Sequence, residues 1–113
     1  VHSISFGFED AECAAQCAAS IEEEYGDVVS AFLNVRSVDV VPVGCSKGQG
    51  VRCVRRHFGV GAIGGIGDSF NDLPLLREAD VAYALDFAPK QVQDEADVVV
   101  PSVAQALSDL AAR

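Results

Sequence analysis

From Val43 to the end of the chain, short apolar runs alternate with segments of helical period, and this alternation constrains the fold more than any single residue. Strands covered on both faces read as near-continuous apolar runs, and helices between them return the chain so that the strands lie parallel. Ser46 is placed to cap a helix from about Lys47 to Phe58, which Gly59 closes. Ala62 to Ile66 reads as a glycine-punctuated strand, followed by a helix from about Asn71 to Glu78. Val81 to Leu85 predicts a second strand, Pro89 to Glu95 a short helix, and Val98 to Val100 a third strand. Pro101-Ser102 then opens a final helix to about Ala112. The order predicts an α/β region over 43–113 with a doubly wound parallel sheet. Residues 1–42 read differently, as strand, helix, strand, strand. Val1 to Phe8 alternates imperfectly, and Ala14, Cys17, Ala18 and Ile21 recur at helical spacing within Ala11 to Tyr25. Gly26-Asp27 stops that helix. Val28 to Leu33 and Ser37 to Val41 flank Asn34-Val35-Arg36 as a hairpin, which Pro42 ends.

At 113 residues the chain has room for one small domain or one piece of a larger one. Its 50% hydrophobic content predicts a buried core rather than disorder. A formal charge of −9 argues against a nucleic-acid partner, since the one basic cluster is Arg52, Arg55 and Arg56. No apolar run reaches the roughly 18 residues of a membrane-spanning helix. The start, Val1-His2-Ser3-Ile4, has neither an initiator methionine nor the layout of a signal peptide, and the expectation is a chain that begins partway through a longer product. The four cysteines show neither a disulfide framework nor zinc-finger spacing. They read as reduced, mostly buried thiols of a cytoplasmic protein.

The strongest chemical signal is Gly67-Asp68-Ser69-Phe70-Asn71-Asp72, just past a buried strand and at the opening of a helix. Open α/β sheets bind ligands at that end of their strands. Asp68 and Asp72 place two hard oxygen donors within one turn, which suits magnesium completed by water and a substrate phosphate. Asn71 adds an amide able to hold a water or orient a carboxylate. A tight turn with Asp68 or Asn71 capping the next helix fits the same residues. Lys47, in Ser46-Lys47-Gly48, sits at a helix start, where positive charge is unfavourable; a nearby phosphate would account for it, as would a solvated surface position. Asp86 follows the next strand and faces the same end of the sheet, as a site residue or a turn residue.

Two other motifs fail on context. Gly59-Val60-Gly61-Ala62-Ile63-Gly64 has the letters of a dinucleotide fingerprint, but follows a helix and opens a strand, the reverse of what the fingerprint needs. Counted from Asp68 as a calcium loop, Leu73 stands where glycine is required and Ala79 where glutamate is. His57, in the last turn of a helix, complements its dipole.

Ser46-Lys47-Gly48, followed about twenty residues later by Gly67-Asp68-Ser69-Phe70-Asn71-Asp72, resembles the third and fourth motifs of the haloacid dehalogenase superfamily of phosphatases. It is most similar to the Cof-type branch with a large α/β cap. The likeness extends through Ala88-Pro89 and Glu95-Ala96-Asp97 to the last helix, over roughly residues 36 to 113. It implies that residues 1–42 close the cap, and that 43–113 form the C-terminal half of a Rossmann-like core. By the resemblance Asp68 ligates magnesium, Asp72 supports the metal shell, Asn71 positions phosphate, and Lys47 steadies the nucleophile and phosphoryl group. The implied reaction is attack by an aspartate on a phosphomonoester, such as a sugar phosphate, followed by hydrolysis of the aspartyl-phosphate. The nucleophile belongs to an Asp-x-Asp pair, yet no aspartate here has another two positions later. Where many relatives read Gly-Asn-Ala this chain has Asp86-Phe87-Ala88, which replaces a possible substrate amide. The missing first strand would lie beside Ala62 to Ile66. Its absence predicts an open edge that self-associates or docks with the missing half. A non-catalytic module that binds metal and phosphate, and a plain structural domain, are the alternatives.

Overall fold

The computed structural model describes residues 3–113, so the expected strand positions Val1 and His2 lie outside the described residues. The chain divides into two compact units, residues 1–45 and 46–113.

In the first unit β1 (Ile4–Gly7), β2 (Val29–Asn34) and β3 (Ser37–Pro42) form an antiparallel sheet in the order β1-β3-β2, with α1 (Ala11–Tyr25) after β1. Asp10 starts α1 by accepting the Cys13 N–H at 2.7 Å, which satisfies one of the orphan donors of a helix start. Ala14 and Ala18 bring the helix down on Val38 at the centre of the sheet. Directly paired residues share a face, so Ile4 and Phe6 lie on the same face as Val40 and Val38. They remain 51% and 42% exposed, because α1 packs over β2 and β3. The hairpin loop is Val35-Arg36, with Asn34 paired to Ser37 and Val35 at φ 52°. Gly26 ends α1 in right-handed helical geometry rather than as a left-handed stop.

The second unit contains α2 (Lys47–Phe58), β4 (Gly64–Gly67), a 3-10 turn (Phe70–Asp72), α3 (Leu73–Glu78), β5 (Val81–Leu85), α4 (Lys90–Glu95), β6 (Val98–Val100) and α5 (Val103–Ala112). The three strands are parallel in the order β4-β5-β6, with Gly67 opposite Ala84 and Leu85 opposite Val100. Alternation along β5 sends Ala82 and Ala84 to a layer with Leu76 and Val92, and Tyr83 to a layer with Val100 and Ala106. Helices therefore cover both faces, which is the predicted α/β, doubly wound arrangement. Ser46 and Ser102 cap α2 and α5 by accepting the Gln49 and Gln105 N–H groups, each at 3.1 Å. Gly59 closes α2 in the left-handed region.

Two expectations are corrected. The first strand of this unit is Gly64–Gly67 rather than 62–66, since the Ile63 N–H bonds to the Asp80 carboxylate instead of entering the ladder. The cysteines are free but not mostly buried: Cys13, Cys45 and Cys53 are exposed and Cys17 is half-buried. Alanines occupy the buried stripe of α1, which leaves its thiols at the margin. Among the described residues no helix is long and apolar enough to cross a membrane.

Candidate active site

The site begins with a close approach between α2 and α3. A Cβ on Gly48 would lie 2.5 Å from the Pro74 carbonyl oxygen, so this contact needs glycine. The packing is registered by the Arg52–Glu78 ion pair, by Arg55 Nη2 on the Glu78 carbonyl at 3.1 Å, and by Arg55 with Asp80 at 2.9 Å. One residue before Gly48, Lys47 meets Asp72 in an ion pair. Its place at a helix start is thus explained by a carboxylate 25 residues on.

Asp72 is 6% exposed, the one buried charged side chain among the described residues. Its Oδ1 accepts from Lys47 Nζ, and its Oδ2 accepts the backbone N–H of Asp68 at 2.9 Å and of Ser69 at 3.2 Å. Gly67 makes room for this hook, since a Cβ there would come within 2.5 Å of the Asp72 Cβ. Burial is the largest single influence on the Asp72 pKa and raises it. The Lys47 hydrogen bond and charge and the two loop amides together outweigh it, and hold the carboxyl below its ordinary range. The anion is the form the loop is built around.

Asp68 presents the opposite case. It is exposed one residue past the end of β4, and its carboxylate takes no partner among the described residues. The Ser69 hydroxyl donates to Asn71 Oδ1 at 2.8 Å and lies 3.3 Å from Asp72 Oδ2. Asp86 is exposed at the same end of the neighbouring strand, with its backbone N–H on Val100 O at 2.9 Å and its carbonyl accepting from Gln93. Lys47, Asn71 and Asp72 are joined through one hydrogen-bonded network with Ser69 and the Asp68 amide, and Asp86 stands outside it.

The donor set fits magnesium in its chemistry. Magnesium is held by one or two carboxylates and keeps water and phosphate for its other positions. Asp68 has an unengaged carboxylate, while both oxygens of Asp72 are occupied. No group of three or more His, Cys, Asp or Glu able to hold a metal occurs among the described residues. Residue type and spacing alone assign no role to Ser69 or to the Gly48 contact. The visible signal was two small residues in otherwise functional motifs.

Comparison with known proteins agrees with this reading of the fold. The sequence model of the haloacid dehalogenase-like hydrolase family matches residues 1–107, and the chain belongs to that family. It is 36% identical over 78 residues to phosphoglycolate phosphatase 2 of Saccharolobus solfataricus, covering 68% of this chain and 32% of that protein. It is also 38% identical over 64 residues to the chloroplastic endoribonuclease YBEY of Arabidopsis thaliana, covering 55% of this chain and 11% of that one. Among solved structures, the HAD subclass IIB sugar phosphatase BT4131 shares the fold with a TM-score of 0.79 at 23% identity, over 98% of this chain and 44% of that one. The chain thus spans less than half the length of each of these proteins.

Proposed function

We propose that this chain is the C-terminal part of a magnesium-dependent phosphatase of the Cof type, acting on phosphomonoesters such as sugar phosphates. The observation that carries the reading is the division between two carboxylates: Asp72 is buried and consumed by Lys47 and the loop amides, while Asp68 is left free beside it. In this reading Asp68 holds the magnesium ion, which supplies charge neutralisation for the transferring phosphoryl group. Asp72 fixes the loop that presents Asp68 and anchors Lys47. The Lys47 ammonium, half exposed, remains able to donate to a phosphoryl oxygen or to a nucleophilic carboxylate. Asn71 donates to the phosphate, and Asp86 lies at the same sheet end as a weaker substrate contact. The phosphatase name of the Saccharolobus relative and the sugar phosphatase name of the structural neighbour support the substrate class.

With no Asp-x-Asp pair in this sequence, the nucleophile comes from a strand outside it. That strand would pair with β4, which among the described residues has a neighbour only in β5. Beside β4 an apolar hollow is lined by Gly64, Ile66, Tyr83 and Leu110, with Val103 and Leu107 at 49% and 62% exposure. Alone, the chain self-associates through this edge or docks with the complementing half. A concentration-independent monomer by sedimentation would argue against the open edge.

The direct test is magnesium titration of the chain followed by backbone amide shifts. The wild type shifts at Asp68 and its neighbours, and Asp68→Asn abolishes the response. Unchanged magnesium binding in Asp68→Asn would remove the metal assignment. The absent pair also favours a second reading, a metal- and phosphate-binding module without turnover. The full product of the source reading frame decides between them, by whether it hydrolyses phosphomonoesters with magnesium.

A further inference from the structure

Three serines stand at helix starts in the second unit, and Ser69, which sits in a capping box with Asp72, also contacts side chains. Ser46 and Ser102 lend an oxygen lone pair to a backbone N–H three residues on. A cap needs only that lone pair, and leaves the hydroxyl proton uncommitted. At Ser69 the hydroxyl reaches two side-chain acceptors, Asn71 Oδ1 at 2.8 Å and Asp72 Oδ2 at 3.3 Å. One proton cannot serve both. The O–H···O optimum is about 2.7–2.8 Å, so the proton goes to Asn71. Asp72 Oδ2 already accepts two backbone N–H groups and does not need a third.

We infer that Ser69 is a positioning residue, whose hydroxyl fixes the Asn71 amide with Oδ1 engaged and Nδ2 left as the free group. The consequence is chemical. An asparagine held this way keeps both N–H donors free and has one of the two Oδ1 lone pairs taken, so its free end serves an acceptor rather than a cation. Its partner is an oxyanion, a phosphoryl oxygen or a carboxylate, and the metal is left to Asp68. Naming the oxyanion as phosphate rests on the phosphatase reading above; the Ser69–Asn71 assignment does not. The opposite amide orientation would have Asn71 donate to Ser69 and send the hydroxyl proton to Asp72. The site would then present an oxygen, with the chemistry of a cation ligand.

The test uses the full 113-residue chain, 15N-labelled, with the Asn71 side-chain amide assigned by its loss in Asn71→Ala. In the wild type the Asn71 Nδ2 order parameter stays well above the ~0.6 of flexible groups. It falls to that level in Ser69→Ala and is restored in Ser69→Thr, which keeps a hydroxyl and suits the extended backbone at this position. A mobile amide in the wild type overturns the inference without any variant, and so does an equally ordered amide in Ser69→Ala. Orthophosphate is then titrated with magnesium present. The Nδ2 protons shift in the wild type, and apparent phosphate affinity drops roughly tenfold in Ser69→Ala with magnesium affinity unchanged, as for loss of one aligned hydrogen bond to a charged group. An ordered amide that ignores phosphate counts against the phosphatase reading and supports the Ser69 assignment.

Discussion

The two units bury different things. In residues 3–45 the core is Ala14, Ala18 and Val38 under one helix, and the polar contacts, such as Ser5 with Asp39 and Glu22 with the Ala31 N–H, sit at the surface. In residues 46–113 helices cover both faces of the sheet, Tyr83 and Val92 are fully enclosed on opposite faces, and the Asp72 carboxylate is buried as well. The second unit also gives up side chains at Gly48 and Gly67 so that backbone and carboxylate can approach. Burying a charge costs several kcal/mol unless it is paired and hydrogen-bonded. A unit that carries such a charge, with its partners in place, is specifying a geometry as well as a fold. The first unit carries none among its described residues.

The largest test of this contrast is Asp72→Ala. It removes the acceptor of two loop amides and of Lys47, and is expected to destabilise the second unit by about 2–4 kcal/mol. Hydrogen exchange should show lost protection in α2, β4 and α3 and none in β1–β3; equal loss in both units would mean that they do not differ as described. Gly48→Ala comes next. Its methyl meets the Pro74 carbonyl and forces α2 from α3, at about 1–3 kcal/mol by chemical denaturation, with Lys47 displaced from Asp72.

In the first unit the expected change has the opposite sign. Val35 is a β-branched residue in the left-handed region, so Val35→Asn should stabilise the hairpin by about 1 kcal/mol. No gain in the melting temperature would show that the loop is unstrained. The smallest effect is on pH dependence. The folded pKa of Asp72 is depressed, so its contribution is fully present above the ordinary carboxylate value near about 4 and is lost as pH falls through the lower folded value. Asp72→Asn should therefore flatten the acid limb of the stability profile below about pH 4. A parallel limb in both proteins would place the acid sensitivity elsewhere.

Much of the fold was legible because its signals are short-range. The caps at Ser46, Gly59 and Ser102 act within three or four residues, and the hairpin pairs Asn34 with Ser37 across two. Apolar runs with helices between them leave few topologies other than a parallel sheet covered on both sides. The candidate site was legible as a list: Lys47, Asp68, Asn71 and Asp72 were all named from residue type and place. Its wiring was not. Ser69 reads as one more polar loop residue until its hydroxyl is seen 2.8 Å from Asn71. The exposed thiols and the uncovered Ile4 and Phe6 were likewise invisible, because exposure depends on which neighbours arrive.

By itself the sequence determined the order of elements, their caps and the chemical types gathered at the end of β4. Tertiary structure decided which carboxylate is spent and which is free. Asp68 and Asp72 are alike in residue type and lie within one turn of each other. They differ because α2, drawn against α3 at Gly48, delivers Lys47 to one of them, and Gly67 leaves that same one space to fold under the strand. That choice depends on contacts between segments far apart in the chain, and pairwise spacing along a sequence does not encode it.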